Sequence, residues 1–323
     1  MALTNQFNLP LPIAVFLASD SYNHNDDVVS VTKFIKPIRE LILTDRVDTS
    51  KIYVPPDDVM NQYKSRVGTS IHHYIEHIWL NKELRDQALT NLGIPAKTIE
   101  KIVVNPDKVA KGHIPVYVEH TGFKDVNGYM FRGTADVIFN GRLGDYKKTS
   151  PMSFKDTAKD KKYALQGSLY RYIMPDKIKD DRMDIYEMYE EWNRYQAISE
   201  NYPPAQVVTK EIQLMDLGQT DRFVKGKIKM IEDLYEAPQS DIPECDDEDL
   251  WRKPPVFKYY KNPEKRERST GNFDNYQEAM SRKNADGNVG VVVEVKSKVV
   301  ACKYCAAMPV CDQAKRYAAS GEL

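Results

Sequence analysis

Asp136, Asp145 and Lys147 are the residues whose types and spacing most directly suggest chemistry. Asp145 and Lys147 stand two positions apart, so on a strand their side chains share a face. Between the two acids lies Asn140-Gly141, a dipeptide that favours a two-residue type I′ hairpin turn. A turn there sets Phe139 opposite Arg142, Ile138 opposite Leu143, Asp136 opposite Asp145 and Thr134 opposite Lys147. Opposed carboxylates lie about 4.5–5.5 Å apart at Cβ, and like charges so placed are destabilising. With Ile138 and Leu143 beside them, and Ala135, Val137, Phe139 and Tyr146 on the reverse face, the acids are expected to be half buried or more. Two close acids in such surroundings need a cation or a shared proton. Mg2+ answers that need, since it takes one or two carboxylates and completes its shell with water and phosphate oxygens. Lys147 beside it would orient a water or neutralise phosphate charge. Asp-x8-Asp-x-Lys alone also fits a solvated hairpin whose acids only confer solubility.

A second polar group lies upstream. Ile71, Ile75, Ile78 and Trp79 form one helical stripe, with His72 and Glu76 on its border one turn apart. A border position lets His72 reach a site built by the sheet. His73 and His77 point the other way, and a solvated pair is expected there. Four cysteines form the third group: Cys302, Cys305 and Cys311 in a C-x2-C-x5-C triad, and Cys245 upstream. Clustered thiolates of this kind suit an iron–sulfur centre or zinc.

The elements needed to position these groups are legible in outline. A helix is expected over about Val31–Leu43 with a break at Pro37, and another over Ser70–Leu80 entered from Gly68. A polar helix should cover Lys82–Leu92, and a short strand Ile114–Val118. The hairpin strands are Tyr129–Phe139 and Arg142–Lys148. A lysine-rich loop, then a helix over Tyr163–Ile173, follow. Met183–Ser199 is read as helical, Gln206–Leu214 as a strand and Thr220–Tyr235 as a helix, with an irregular stretch over Pro238–Pro263. Residues 1–60 form an N-terminal helical segment, 61–237 a mixed α/β core, and 238–323 an extension carrying the cysteines.

The motifs, taken in order, resemble those of RecB-type nucleases of the PD-(D/E)XK superfamily. Gly68-Thr-Ser-Ile-His72-His-Tyr-Ile-Glu76 resembles the first motif, Gly133-Thr-Ala-Asp136 the second, and Asp145-Tyr-Lys147 the third, in its Asp form. Gln166-Gly-Ser-Leu-Tyr170 resembles the family's Q-x-x-x-Y motif. The resemblance covers about Gly68–Tyr172 and implies a restriction-endonuclease-like core, a mixed sheet flanked by helices. It implies that His72, Asp136, Asp145 and the Tyr146 carbonyl hold Mg2+ or Mn2+, that Lys147 positions the attacking water, and that Gln166 and Tyr170 contact the DNA strand. Glu76 would support His72. The cysteine triad resembles the C-terminal triad of iron–sulfur nuclease relatives, AddB and the CRISPR-associated adaptation nucleases. This implies a [4Fe–4S] cluster closing the extension, with Zn2+ as the alternative. Cys245 departs from that pattern, because in those relatives the fourth cysteine precedes the nuclease motifs. The N-terminal segment resembles phage-encoded members.

Composition limits the partners. With 46 Lys+Arg against 47 Asp+Glu the net charge is −1, so no global basic field announces nucleic acid, and any DNA surface must be local. Two stretches qualify. One carries Lys148, Lys155, Lys161 and Lys162 directly after the hairpin. The other, Trp251–Arg268, carries Arg252, Lys258, Tyr259, Lys265 and Arg266, basic side chains interleaved with aromatic rings. Pro10 and Pro12 break the apolar run Leu9–Ala18, which also lacks a basic leader, so neither a signal peptide nor a membrane span is expected. A cytoplasmic protein follows, in host cytoplasm if phage-encoded. No Walker A pattern occurs, so no ATP site is expected. The expectation is a metal-dependent DNA exonuclease acting on double-stranded ends or single strands in recombination, repair or end processing, with a single-strand annealing or recombination protein as a potential partner. A structure-specific endonuclease and a non-catalytic DNA-binding module with a structural metal cluster are the alternatives.

Overall fold

Two Asn-Gly dipeptides shape the central sheet. Asn127 and Gly128 have φ of 55° and 85°, and Asn140 and Gly141 have 49° and 92°. Positive φ at both central residues is the type I′ signature, whose twist matches that of the flanking strands. A computed structural model of the chain describes residues 3–19, 28–48 and 57–323. Part of the N-terminal 1–60 segment therefore lies outside the described residues.

In chain order the first elements are β1 (Leu3–Thr4), α1 (Leu11–Ala18), β2 (Val29–Ser30), α2 (Val31–Phe34), α3 (Ile38–Asp45) and β3 (Asp57–Asp58). There follow α4 (Tyr63–Leu80), α5 (Lys82–Asn91), α6 (Ala96–Ile99), β4 (Ile102–Val104), β5 (Ile114–Val126), β6 (Tyr129–Phe139) and β7 (Arg142–Thr149). Then come α7 (Asp160–Ile173), β8 (Arg182–Tyr189), β9 (Val207–Gln213) and α8 (Leu217–Leu234). The chain ends with β10 (Val256–Tyr260), β11 (Gly271–Phe273), α9 (Tyr276–Ala285), β12 (Val291–Val295) and α10 (Asp312–Ser320).

The described residues fall into two compact units, one of residues 3–19, 28–35 and 57–228, the other of residues 36–48 and 229–323. The first is built on a mixed sheet in the order β4-β5-β6-β7-β8-β9, with β2 added to β6. β5, β6 and β7 run antiparallel, and β8 returns parallel to β7 through the crossover helix α7. Helices flank this sheet. The arrangement is a general α/β one and does not by itself specify the restriction-endonuclease-like core that the motifs imply.

Several elements differ from the sequence reading. Met183–Tyr189 is a strand, not a helix, and its inward positions Met183, Ile185, Glu187 and Tyr189 are all buried. Alternation over so short a run is masked by Glu187, whose carboxylate is satisfied by the Tyr189 hydroxyl. The proline-containing run 11–18 is the helix α1, because Pro10 and Pro12 occupy its cap and first turn, where no intrahelical N–H is needed. α4 begins at Tyr63, so Gly68 lies inside the helix rather than before it. Pro37 does divide the second segment, ending α2 and capping α3. β5 runs on to Val126, eight residues beyond the expected Val118. Among the described residues no helix is long and apolar enough to cross a membrane.

The second unit holds a three-stranded sheet, β11-β10-β12, and an apolar cluster of Ile42, Leu43, Ile242, Leu250 and Val299 with the cysteines. Its buried Arg39 donates to the carbonyls of Gln239 and Ile242, at 3.1 and 2.9 Å, and to Cys311 Sγ at 3.4 Å. The expected cysteine-closed extension is not seen. Cys245, Cys302, Cys305 and Cys311 are all free thiols lining one cavity of about 40 Å3. Burial pushes Cys245 up to about 12 and raises Cys302 and Cys305 as well. No three of their sulfurs, among the described residues, gather closely enough to form a ligand group. The [4Fe–4S] cluster and its zinc alternative are therefore withdrawn. The sulfurs pack as small apolar groups.

Candidate metal centre

β6 and β7 part company three pairs after their turn. The ladder runs Phe139↔Arg142, Ile138↔Leu143, Val137↔Gly144 and stops there. From Leu143 to Thr149, β7 pairs with β8, while the same edge of β6 is taken up by β2 at Phe131 and Arg132. Gly133, Thr134, Ala135 and Asp136 thus lie in a gap between two ladders. The Asp136 carboxylate enters that gap and accepts the Tyr146 N–H at 2.9 Å, replacing the missing ladder bond. Asp136 and Asp145 are not ladder partners, as simple continuation of the hairpin would make them. Helix α7 packs beneath: a Cβ on Gly133 would lie 2.8 Å from Tyr170 Cδ1 and 3.2 Å from Ile173 Cδ1, so only glycine lets the helix approach.

On the other side of β6, the Asn127-Gly128 turn pairs Val126 with Tyr129 and holds one register to Val116↔Phe139. That register sets Glu119 across from Asp136, at the one step where the ladder is interrupted. Glu119 has φ of 46°, a left-handed conformation that costs a non-glycine residue roughly 1–3 kcal/mol.

His72 of α4 completes the group. Its Nδ1 is 3.6 Å from both Glu119 Oε1 and Asp136 Oδ2, and its Nε2 is 3.2 Å from the Tyr146 carbonyl oxygen. The helix is held in place by Trp79, which packs on Ile102, Val116, Val118 and Val137 of the sheet. Ligand atoms of His72, Glu119 and Asp136 all lie within 4.8 Å of one another, so one ion can touch all three. An imidazole nitrogen with two carboxylate oxygens suits a divalent cation.

The electrostatics agree. The Glu119 carboxylate, helped by Asp136, raises the His72 pKa against the opposing effect of burial. Burial and then the Asp145 carboxylate push Asp136 up to about 6. Each of the two therefore takes up a proton more readily than the free side chain does. Asp145 is itself buried, and Lys147 Nζ lies 2.5 Å from its Oδ2. The buried Asp145 carboxylate thus takes its counter-charge from Lys147 at the edge of the group. The residues present fit a bound cation.

The remaining sequence candidates fall as follows. Gln166 and Tyr170 are joined on α7, amide to hydroxyl at 3.0 Å, with the Tyr170 ring against Gly133. The Tyr163 ring lies 6.0 Å from Lys147 Nζ. Glu76 is half-buried, and His72 takes its partners from the sheet instead. His73 and His77 are exposed. Lys155 is exposed on the segment that joins β7 to α7, and Lys161 and Lys162 are exposed in the first turn of α7, whereas Lys148 is tied to Glu190 at 2.8 Å. In the second unit Lys265 and Arg266 are exposed and Lys258 is half-buried. Arg252 is held by Glu322 at 2.9 Å and packs over Tyr317. Tyr259 is fully buried with its hydroxyl on the Val289 carbonyl, so it presents no face for a base to stack on.

Glu119 is the site residue that sequence reasoning missed. The signal was present: the arithmetic applied to Asn140-Gly141, applied equally to Asn127-Gly128, sets Glu119 opposite Asp136.

No family model matches the chain. No curated protein matches it either. A solved structure described as "Crystal structure of SSO0001" is similar over 68% of this chain and 84% of that one, at 12% identity and a TM-score of 0.36. A likeness that weak assigns neither fold nor function. The membership of the RecB-like PD-(D/E)XK nucleases, with an iron–sulfur closure, that four motifs imply is therefore not upheld. What stands is a three-residue group able to hold a metal ion.

Proposed function

We propose that this protein is a metal-dependent phosphodiesterase acting on DNA, with an exonuclease as the favoured form. The observation that supports it is Lys147. Its ammonium stands 2.5 Å from the buried Asp145 carboxylate, at the edge of the group. An ammonium poised there suits a substrate that brings its own negative charge, such as a phosphodiester.

In this reading His72, Glu119 and Asp136 hold a divalent cation, with Asp145 and the Tyr146 carbonyl at the same fork. When bound, that cation supplies Lewis acidity and lowers the pKa of water at the site. Lys147 turns from Asp145 towards a phosphate oxygen or the attacking water, orienting it for in-line displacement. Gln166 and Tyr170 offer an amide and a hydroxyl to the strand. Exposed Lys155, Lys161 and Lys162 lead the backbone in.

The test is cleavage of end-labelled linear and closed circular DNA with Mg2+ or Mn2+. Linear DNA should be degraded and circular DNA spared. Asp136→Ala and Lys147→Ala should each abolish cleavage, with Lys147→Ala still binding Mn2+. Undiminished cleavage by either variant rejects the reading, and cutting of circular DNA makes the enzyme an endonuclease.

A further inference from the structure

Lys147 and Glu187 are register partners on the parallel strands β7 and β8. Side chains at paired positions stand on one face of a sheet, and neighbouring strands lie about 4.8 Å apart. The Lys147 side chain therefore has two carboxylates within its reach: Asp145, two positions back on its own strand, and Glu187, across the ladder. In the structure it stands on Asp145, Nζ to Oδ2 at 2.5 Å.

Glu187 is 8% exposed. Its Oε2 accepts the hydroxyl of Tyr189, two residues on along the same face and itself buried. That hydroxyl aims the carboxylate but brings no charge, and among the described residues no cation pairs with it. The lysines nearest in the sheet are committed elsewhere: Lys148, on the reverse face, to Glu190 at 2.8 Å, and Lys210 of β9 to Asp160 at 2.6 Å. Buried acids are ordinarily matched by a counter-charge, and the ammonium one strand away is the one that can supply it. The Tyr163 ring marks the shared surroundings. It lies 6.0 Å from Lys147 Nζ, and burial, then the Asp145 and Glu187 carboxylates, raise its hydroxyl to about 12.

We propose that Glu187 is a positioning residue for Lys147, receiving its ammonium when Asp145 turns to a bound cation. A divalent ion beside Asp145 repels the ammonium and competes with it for the same oxygen, so Lys147 must give way. Without Glu187 the ammonium would be driven out into water. With Glu187 it crosses one ladder and stays beside the group. Lys147 keeps a carboxylate partner in both states, while Tyr189 holds Glu187 in the one and the cation holds Asp145 in the other. The inference rests on the metal group and on the role given to Lys147 in the nuclease reading, but its test is metal binding, not cleavage.

Calorimetry would compare Mn2+ affinity in the full-length wild type, Glu187→Gln, Lys147→Ala and the double variant. Glu187→Gln should weaken binding about tenfold in the wild type, the low end for a residue acting behind the ligands. In the Lys147→Ala background the same change should have no effect, because no ammonium then needs a place. Tyr189→Phe, which removes only the hydroxyl that aims Glu187, should give a smaller loss with the same dependence on Lys147. An equal loss in both backgrounds would make Glu187 a bystander charge or a structural acid, and overturns the proposal. So does wild-type affinity in Glu187→Gln, or a wild type that binds no Mn2+. A crystal structure with Mn2+ bound should show Lys147 Nζ on Glu187, and Nζ still on Asp145 overturns the proposal too. If this pattern holds while the wild type cleaves no DNA with Mg2+ or Mn2+, the nuclease reading alone falls.

Discussion

The Asp136 carboxylate accepts the Tyr146 N–H at 2.9 Å, at the point where β6 and β7 separate. This bond lets two adjacent strands diverge without leaving a buried donor unpaired. The same divergence brings Asp136 to Glu119 on one neighbouring strand and to His72 on a helix. Much of what can be measured follows from that fork.

Removing Glu119 should weaken metal binding without unfolding the chain. Glu119→Gly deletes one of three close ligands and also relieves a left-handed residue, so its melting temperature should hold or rise. Its Mn2+ affinity by calorimetry should fall at least tenfold, a loss at the low end for a ligand contact. Unchanged affinity would remove Glu119 from the site.

The metal-free site should be less stable at neutral than at mildly acid pH. Asp136 is raised from 3.8 to about 6, so the folded state holds its proton more tightly than the unfolded state does. Stability is then lost as pH rises from about 4 to about 6. His72 is raised too, so its contribution is complete below 6.5 and lost as pH climbs through its folded value. Asp136→Asn keeps an acceptor for Tyr146 but carries no charge. In EDTA it should match the wild type near pH 4 and exceed it near pH 7 by on the order of 2–3 kcal/mol. Mn2+ should stabilise the wild type near pH 7 and leave the variant unmoved. A wild type as stable as Asp136→Asn at pH 7 in EDTA would contradict the raised pKa.

Gly133 should tolerate no side chain. Its added Cβ would sit 2.8 Å from the Tyr170 ring, forcing α7 away from the fork. Gly133→Ala should cost about 1–3 kcal/mol in urea denaturation. Cleavage, if Gln166 and Tyr170 serve it, should fall more steeply than Mn2+ binding. A variant with wild-type stability would show that the ring can step aside.

Arg39 should matter to the second unit more than any one thiol. It is 3% exposed and donates to two carbonyls, the Gln239 amide oxygen and Cys311 Sγ. Arg39→Leu strands those acceptors and should destabilise by roughly 2–4 kcal/mol, about 1–3 for each buried group left unsatisfied. Cys302→Ala, which only trims an apolar contact, should cost about 1 kcal/mol. A reversed order of the two, by chemical denaturation of the full chain, would give the sulfurs a role beyond packing.

Local chemistry made the hairpins legible. Asn-Gly turns constrain dihedrals through the residues themselves, and loop length then sets register, so the faces of Asp136 and Lys147 could be worked out from sequence. The same holds for Glu119, whose place opposite Asp136 needed only a second turn and a longer β5. His72 was legible as a border residue of an amphipathic helix. What sequence could not decide depends on contacts between distant segments. β8 reads as helix or strand until β7 lies beside it, because seven alternating residues with a glutamate among the inward positions carry little period of their own. At the fork at Val137, the edge of β6 that β7 leaves is taken up by β2, which comes from far earlier in the chain. Spacing brought the cysteines near one another, but whether sulfurs converge on an ion or pack among aliphatics is settled by side-chain placement across the unit. Short-range turns and periodicities determined which faces the acids occupy. Long-range packing decided which of those acids meet His72 and which remains beside Lys147.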